Sequence, residues 1–255
     1  MSALMSHRAV VGGTCLVPWG DEASGLPGAA LKELPEVVGF AISRFGPLVH
    51  AVATACLGPA GAPGNRVGEH GTRTAIVLAT LYGDAPTLDT ATQWTVAGKL
   101  NNPLLFFQSV NTSILSHLTR RYGIRGPLTC VSAVLDPAGD ALRVADALLE
   151  DPELYQVLVI GVETKPNERV CRAGESVVAE GWTPRLPADD AAGALLLRRI
   201  EAGTEAARLT LSETSTGTVS RGGGPTGPLG WLGRFMELCA DAGAGRHEAY
   251  LYDLS

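Results

Sequence analysis

This sequence predicts an α/β fold with a largely parallel central sheet, on three observations. Short runs of branched apolar residues alternate with stretches of helical periodicity, the pattern of βαβ units. Two of those runs, 74–81 and 157–162, are apolar at nearly every position rather than every second one, as strands covered on both faces must be. The 255 residues, 45% hydrophobic and 18% charged, are enough to bury a sizeable core.

Taken in order, residues 10–17 are the first strand. The apolar stretch 1–17 contains Gly12 and Gly13 and has no cationic lead or small-residue cleavage site, so it reads as a buried strand and not a signal peptide. Gly12-Gly13 lacks the spacing of a nucleotide turn and is expected to be a bulge or tight turn. A Gly/Pro-rich connection over 19–35 precedes a helical pattern over 37–57, which Gly46-Pro47 should interrupt. Residues 59–70 are a turn-rich loop, 74–81 a central strand and 103–122 a helix with Gly123 as its left-handed cap. Strand 128–134, helix 137–150 and strand 157–162 follow. Residues 191–199 and 207–213 resemble a closing hairpin, 214–230 a flexible connection, 231–242 a short helix and 248–253 a last strand. The expected division is a main domain over 1–213 and an appended connection, helix and strand over 214–255.

Helix 137–150 has a distinctive polarity. Asp136, Asp140, Arg143, Asp146 and Glu150 recur at steps of three or four, while Ala138, Ala141, Leu142, Ala145, Leu148 and Leu149 form the other face. A helix buried on both sides would not carry that stripe, so one face should meet water or a polar partner.

Bulk charge and cysteine usage exclude several functions. A net charge of −6 argues against nucleic acid and provides no basic face for a membrane. No segment approaches the roughly 18 apolar residues of a membrane span. The five cysteines, Cys15, Cys56, Cys130, Cys171 and Cys239, are widely spaced with no Cys-x-x-Cys pair, which fits a reducing cytoplasm better than a disulfide framework or zinc site. Gly222-Gly223-Gly224 lacks a following Lys-Ser/Thr, and Asp189-Asp190 has no metal-ligand partners at useful spacing. Neither a cofactor nor a metal is expected.

The stretch from Asn111 through Gly123-Ile124-Arg125-Gly126-Pro127, the strand that follows, Ala141-Leu142 and on to Gly161-Val162-Glu163 resembles the N-terminal half of β-ketoacyl synthases. The segment Phe106-Phe107-Gln108-Ser109-Val110-Asn111-Thr112 is similar to that family's chain-length factors, which pair with an active synthase in type II polyketide systems. The stretch beginning Asp189-Asp190-Ala191-Ala192-Gly193 is similar to the end of the synthases' first half, so the resemblance covers roughly residues 35–215. It implies a thiolase-like fold, one half of the usual duplicated unit, with a nucleophile elbow after strand 128–134. A thiol nucleophile needs the N-terminus of a helix, where the dipole favours thiolate and amides can hold an oxyanion. Counting from Gly126-Pro127 and back from Ala141-Leu142 puts that position at Leu135, which cannot attack a thioester. Chain-length factors have also lost this cysteine, often to glutamine.

The resemblance therefore implies a chain without intrinsic catalysis. Its implied partner is a full-length β-ketoacyl synthase subunit, or a second copy of itself, with an acyl carrier protein reached through the complex. Phe106, Phe107, Val110 and Ile114 would line an acyl channel, although apolar helix residues read first as core. Asn111, Leu128, Cys130, Ser132 and Val134 would lie at the dimer interface, since strand 128–134 carries no charge or proline to protect a free edge. In the duplicated fold helix 137–150 lies between two sheets. Little more than 40 residues follow the first half here, so one sheet would be missing. Two alternatives stand beside this reading: a stand-alone acyl-thioester enzyme using Cys130 and His70, whose His70-Gly71-Thr72 copies a catalytic His-Gly-Thr, and a structural or regulatory pseudoenzyme.

Overall fold

A computed structural model of the chain describes residues 5–31, 33–99, 103–134, 136–179, 186–200, 207–213, 227–245 and 249–254. Leu135, Gly222-Gly223-Gly224 and most of the expected connection lie outside them. Strands β1 (Met5–Leu16), β2 (Thr74–Ala79), β3 (Leu128–Val131), β4 (Gln156–Glu163), β5 (Ala191–Arg198), β6 (Ala207–Glu213) and β7 (Ala249–Leu254) form one sheet in the order β3-β2-β4-β5-β1-β6-β7. β1 to β4 all run one way, as the α/β reading requires, and β5 to β7 run against them.

Two helices, α1 (Phe45–Leu57) and α4 (Asn111–Tyr122), cover one face. The other face is covered by α5 (Pro137–Leu148) and α7 (Leu232–Gly243). Outside these layers lie α2 (Ala85–Val96), α3 (Pro103–Ser109) and α6 (Glu168–Ala179).

Several expectations are corrected. β5 and β6 do not form a hairpin, because β1 lies between them, antiparallel to both. A direct β5–β6 pair would have left the amides of the twelve-residue β1 without partners along one side. α1 begins only at Phe45, which puts Gly46 and Pro47 in its first turn, where a missing N–H costs no helical bond. The helix expected over 103–122 is two helices, broken at Val110, whose backbone is extended (φ −89°, ψ 118°). Helices α2 and α6 were not anticipated. Asp84, which accepts from the Thr87 amide, and Pro86 do carry a start signal for α2.

Other expectations hold. Gly123 closes α4 in the left-handed conformation (φ 67°). The Gly12-Gly13 region holds a β-bulge, the β1–β5 register shifting between Val10 and Gly12. Gly13 also marks a close approach: a Cβ there would lie 2.4 Å from the Cys239 carbonyl oxygen of α7.

The expected C-terminal helix and strand are both present. α7 packs across β1 and β5, with Leu232, Phe235, Met236 and Cys239 fully buried, and β7 extends the sheet beyond β6. The sheet coils so that β7 also reaches α5, and the Tyr252 hydroxyl lies 3.5 Å from Asp136. Four of the five residues of the polar stripe on α5 are paired within the chain. Arg8 of β1, 7% exposed, donates to Asp146 at 2.6 Å and to Glu150, while Asp140 pairs with Arg143 at 2.6 Å. The polar partner expected for this helix is thus largely its own first strand.

If α7 is a core element, Phe235→Ala should cost about 3–5 kcal/mol of stability, the range for truncating a buried Phe. Urea unfolding measures it; a loss under 1 kcal/mol would show that α7 contributes little to the core.

Candidate functional site

Parallel strands deliver their C-terminal ends to one rim, where α/β proteins gather chemistry. Here that rim brings together the segments after β1, β2, β3 and β4 and the start of β5, since Leu16 and Glu163 face Ala192 and Ala191 of β5.

The turn from β3 to α5 is the expected elbow. Thr80 N–H donates to the Val131 carbonyl at 3.1 Å, and Ser132 Oγ donates to the Leu81 carbonyl at 2.9 Å, so the turn is tied to the loop after β2. Asp136 then caps α5, its carboxylate accepting from the Gly139 amide at 2.8 Å. Pro137 follows in the first turn and has no N–H to offer. The Gly139 amide at this terminus therefore serves the chain's own carboxylate. Burial raises the Asp136 carboxyl above its usual range, an effect that the Gly139 amide opposes.

Beside the elbow, Glu163 at the end of β4 is 2% exposed. It accepts from the Leu81 amide, from Thr80 Oγ1 at 3.3 Å and from Trp231 Nε1 at 3.2 Å. Burial pushes its carboxyl up to about 7 against the pull of these donors. Asp190, also buried, accepts from the Lys165 amide at 2.9 Å and pairs with Arg44, while its carbonyl accepts from Trp19 Nε1 at 2.7 Å. Asp189 pairs with Lys165 at 3.2 Å. Among the described residues no group of three or more His, Cys, Asp or Glu is placed to hold a metal ion.

The candidate residues divide. Leu135, the vacant nucleophile position, lies outside the described residues. Phe106 is 72% exposed, Phe107 42% and Val110 39%, so these three project from the surface around α3. Ile114 is 1% exposed and belongs to the core under α4. The Asn111 side chain faces inward and accepts from the Asp84 amide at 3.2 Å. Cys130 and Val134 are exposed, whereas Leu128 is half-buried against the core. Among the described residues β3 is an edge strand, pairing only with β2.

The Cys130–His70 dyad is overturned. Cys130 stands opposite Leu78, near the end of β2, whereas His70 precedes its start at Thr74. The span from Thr74 to Leu78 alone is about 13 Å at strand rise. The His70 ring stacks instead on Tyr155, centroids 3.8 Å apart, and burial raises the Cys130 thiol above its usual range. His117, read as a solvated or interface residue, packs its ring against Phe40 and His50.

Sequence reasoning did not single out Glu163 or Trp231 as a pair, because nothing local signals a bond between β4 and a residue 68 positions later. The cap at Asp136 was readable from Asp136-Pro137, an N-cap residue before a first-turn proline.

No family model and no curated protein matches this chain. Solved structures do. A ketosynthase in complex with its chain length factor from Xenorhabdus doucetiae matches at 18% identity and TM-score 0.54, over 77% of this chain and 81% of that one. The ishigamide ketosynthase/chain length factor matches at 16% identity and TM-score 0.60, over 79% and 64%. A β-ketoacyl synthase from Burkholderia phymatum matches at 12% identity and TM-score 0.55, over 76% and 59%. The chain thus spans less than two thirds of the last two. These likenesses show a thiolase-like ketosynthase fold. No helix among the described residues is long and apolar enough to cross a membrane.

Glu163 gives a pH signature. Its folded pKa of about 7 lies above the ordinary 4.5, so the folded state holds the proton more tightly than the unfolded chain. The associated stability is present in full below pH 4.5 and lost as pH rises through 7, about 3 kcal/mol in all. Urea unfolding should show wild type weakening between pH 5 and 8, and Glu163→Gln with a flatter profile. Equal slopes would remove Glu163 as the cause.

Proposed function

We propose that this ketosynthase-like thiolase-fold chain is a noncatalytic, chain-length-factor-like partner of an active β-ketoacyl synthase, completing a dimer and shaping the channel for a carrier-bound acyl chain. The observation that carries the reading is the N-terminus of α5, where Asp136 caps the helix and Pro137 opens it, directly after Leu135, the position at which the resemblance expects a nucleophile. Leu135 supplies no nucleophile, and Cys130 sits mid-strand with its thiol raised by burial. The structural neighbours named as ketosynthase with chain length factor support the pairing.

The geometry of β3 says how a partner would engage. The Pro127 carbonyl accepts from Ile76 and the Val131 carbonyl from Thr80, so residues 127, 129 and 131 turn their backbone groups toward β2. Leu128 and Cys130 therefore present N–H and C=O outward, where another strand would bind. Exposed Phe106, Phe107, Val110 and Val134 give apolar surface of the kind an interface buries. Asn111 would act indirectly, by positioning the start of α4, and Ser132 by fixing the elbow.

The test is co-expression with a full-length synthase carrying the cysteine and both histidines. The two should co-purify, and Cys130→Pro should separate them, because it removes an outward N–H without touching the β2 ladder. A stable monomer that ignores every such synthase would end the proposal. In the complex, Phe106→Ala or Phe107→Ala should lengthen the products without dissociating it; unchanged products would remove these rings from the channel.

Alone, the chain should not condense malonyl thioesters, and iodoacetamide should label Cys130 no faster than an ordinary thiol. Rapid stoichiometric labelling at neutral pH would restore a nucleophilic role.

A further inference from the structure

Between the 37–41 loop, α3 and α4 runs an open groove of about 500 Å³. Its walls are apolar, made by Val38, Phe40, Leu104 and Phe107, and one end is cationic, made by Arg120 and Arg121. His117 stands between, its ring 6.1 Å from that of Phe40. We propose that this groove binds an amphipathic anion, an aliphatic chain ending in a carboxylate or phosphate monoester. The chain would lie along Phe40, Leu104 and Phe107, and the head group on the two arginines.

The charge distribution supports an anion. The chain as a whole is acidic, at −6, yet α1, α3 and α4 contain no acidic residue at all. Arg120 and Arg121 are exposed, and no salt bridge among the described residues includes either. Their field reaches inward: after burial, they are the cause that lowers the proton affinity of His117, and Arg121 acts likewise on His50. A neutral His117 offers an aromatic wall and one N–H donor to a head group without adding a third repelling charge.

The apolar part is unusual for a surface. Val38 is 93% exposed, Leu104 63% and Phe107 42%, side by side along one groove. A volume of this size is in the range of small-molecule sites. Arginines in the last turn of a helix also complement its dipole, which requires nothing of the groove walls. The combination of both arginines with four apolar walls is what selects a ligand having both a chain and a charge.

The site shares Phe107 with the proposed channel but does not rest on a synthase partner, and it is measured on this chain alone. Calorimetric titration with decanoate and with decyl phosphate, each below its micelle concentration, should show saturable binding of at least one. The preferred head group identifies the source as a free acid or a phosphate ester. Butyrate and inorganic phosphate, which lack the chain, should not bind measurably. The double variant Arg120→Ala/Arg121→Ala should bind the preferred amphiphile at least tenfold more weakly, and Phe107→Ala at least fivefold. Both should remain folded, with melting temperatures within a few degrees of wild type, since these side chains are exposed. High salt should weaken wild type toward the double variant. No saturable binding by wild type, or equal affinity in wild type and the arginine variant, overturns the proposal.

Discussion

α5 has to be covered on two sides by a chain that, among its described residues, has a single sheet. Ala138, Ala141, Leu142, Ala145 and Leu149 face β2 and β4, which any α/β layer would provide. Val144 and Leu148 are packed as well, and β7 reaches the same helix from the far end of the sheet. One coiled sheet does this because β1, inserted between β5 and β6, lengthens it and carries β6 and β7 around. Two-sided cover forces a solution for the polar stripe. A partly buried carboxylate is costly unless paired, and Arg8, buried on β1, pairs with Asp146 while also reaching the exposed Glu150.

The same economy shapes the rim. Glu163 joins the loop after β2, the end of β4 and Trp231 just before α7, so one carboxyl holds three segments that are distant in sequence. Asp190 does the equivalent for Trp19, Arg44 and Lys165. Rims of α/β proteins bind ligands when their polar groups are left aimed at open space. Here Asp136, Glu163 and Asp190 are all engaged with the chain's own donors.

The sequence was informative wherever burial made a strand apolar on both faces or a cap residue stood next to a periodic run. Runs 74–81 and 157–162 became β2 and β4 nearly to the residue, and Gly123 capped its helix as its position implied. The failures have a different character. Whether β5 meets β6 depends on where β1 goes, and no local signal reports that residues 5–16 slip between strands almost 200 positions later. The break at Val110 was hidden because Leu104, Phe107 and Ile114 keep helical spacing across it, although Phe107 is exposed and Ile114 buried. Residues with one clear physical task, such as Gly13 against α7, were legible as anomalies even where the task was not. At the candidate site the cap that closes α5 was legible in Asp136-Pro137, whereas the bonds that tie Glu163 to Leu81 and Trp231 join residues too distant in sequence to be read locally.

The β3 edge exists because β3 is the outermost strand, and its alternation is fixed: odd positions from 127 to 131 bond to β2, and Leu128 and Cys130 face outward. Catalysis places no constraint on those outward groups. Unpaired N–H and C=O on an uncharged edge invite association with any compatible strand. A charge or proline at Leu128 or Cys130 would protect this edge, yet Leu-Thr-Cys-Val carries neither. Association therefore explains what catalysis does not, and on the proposed reading the edge persists because it is the part of the protein still in use.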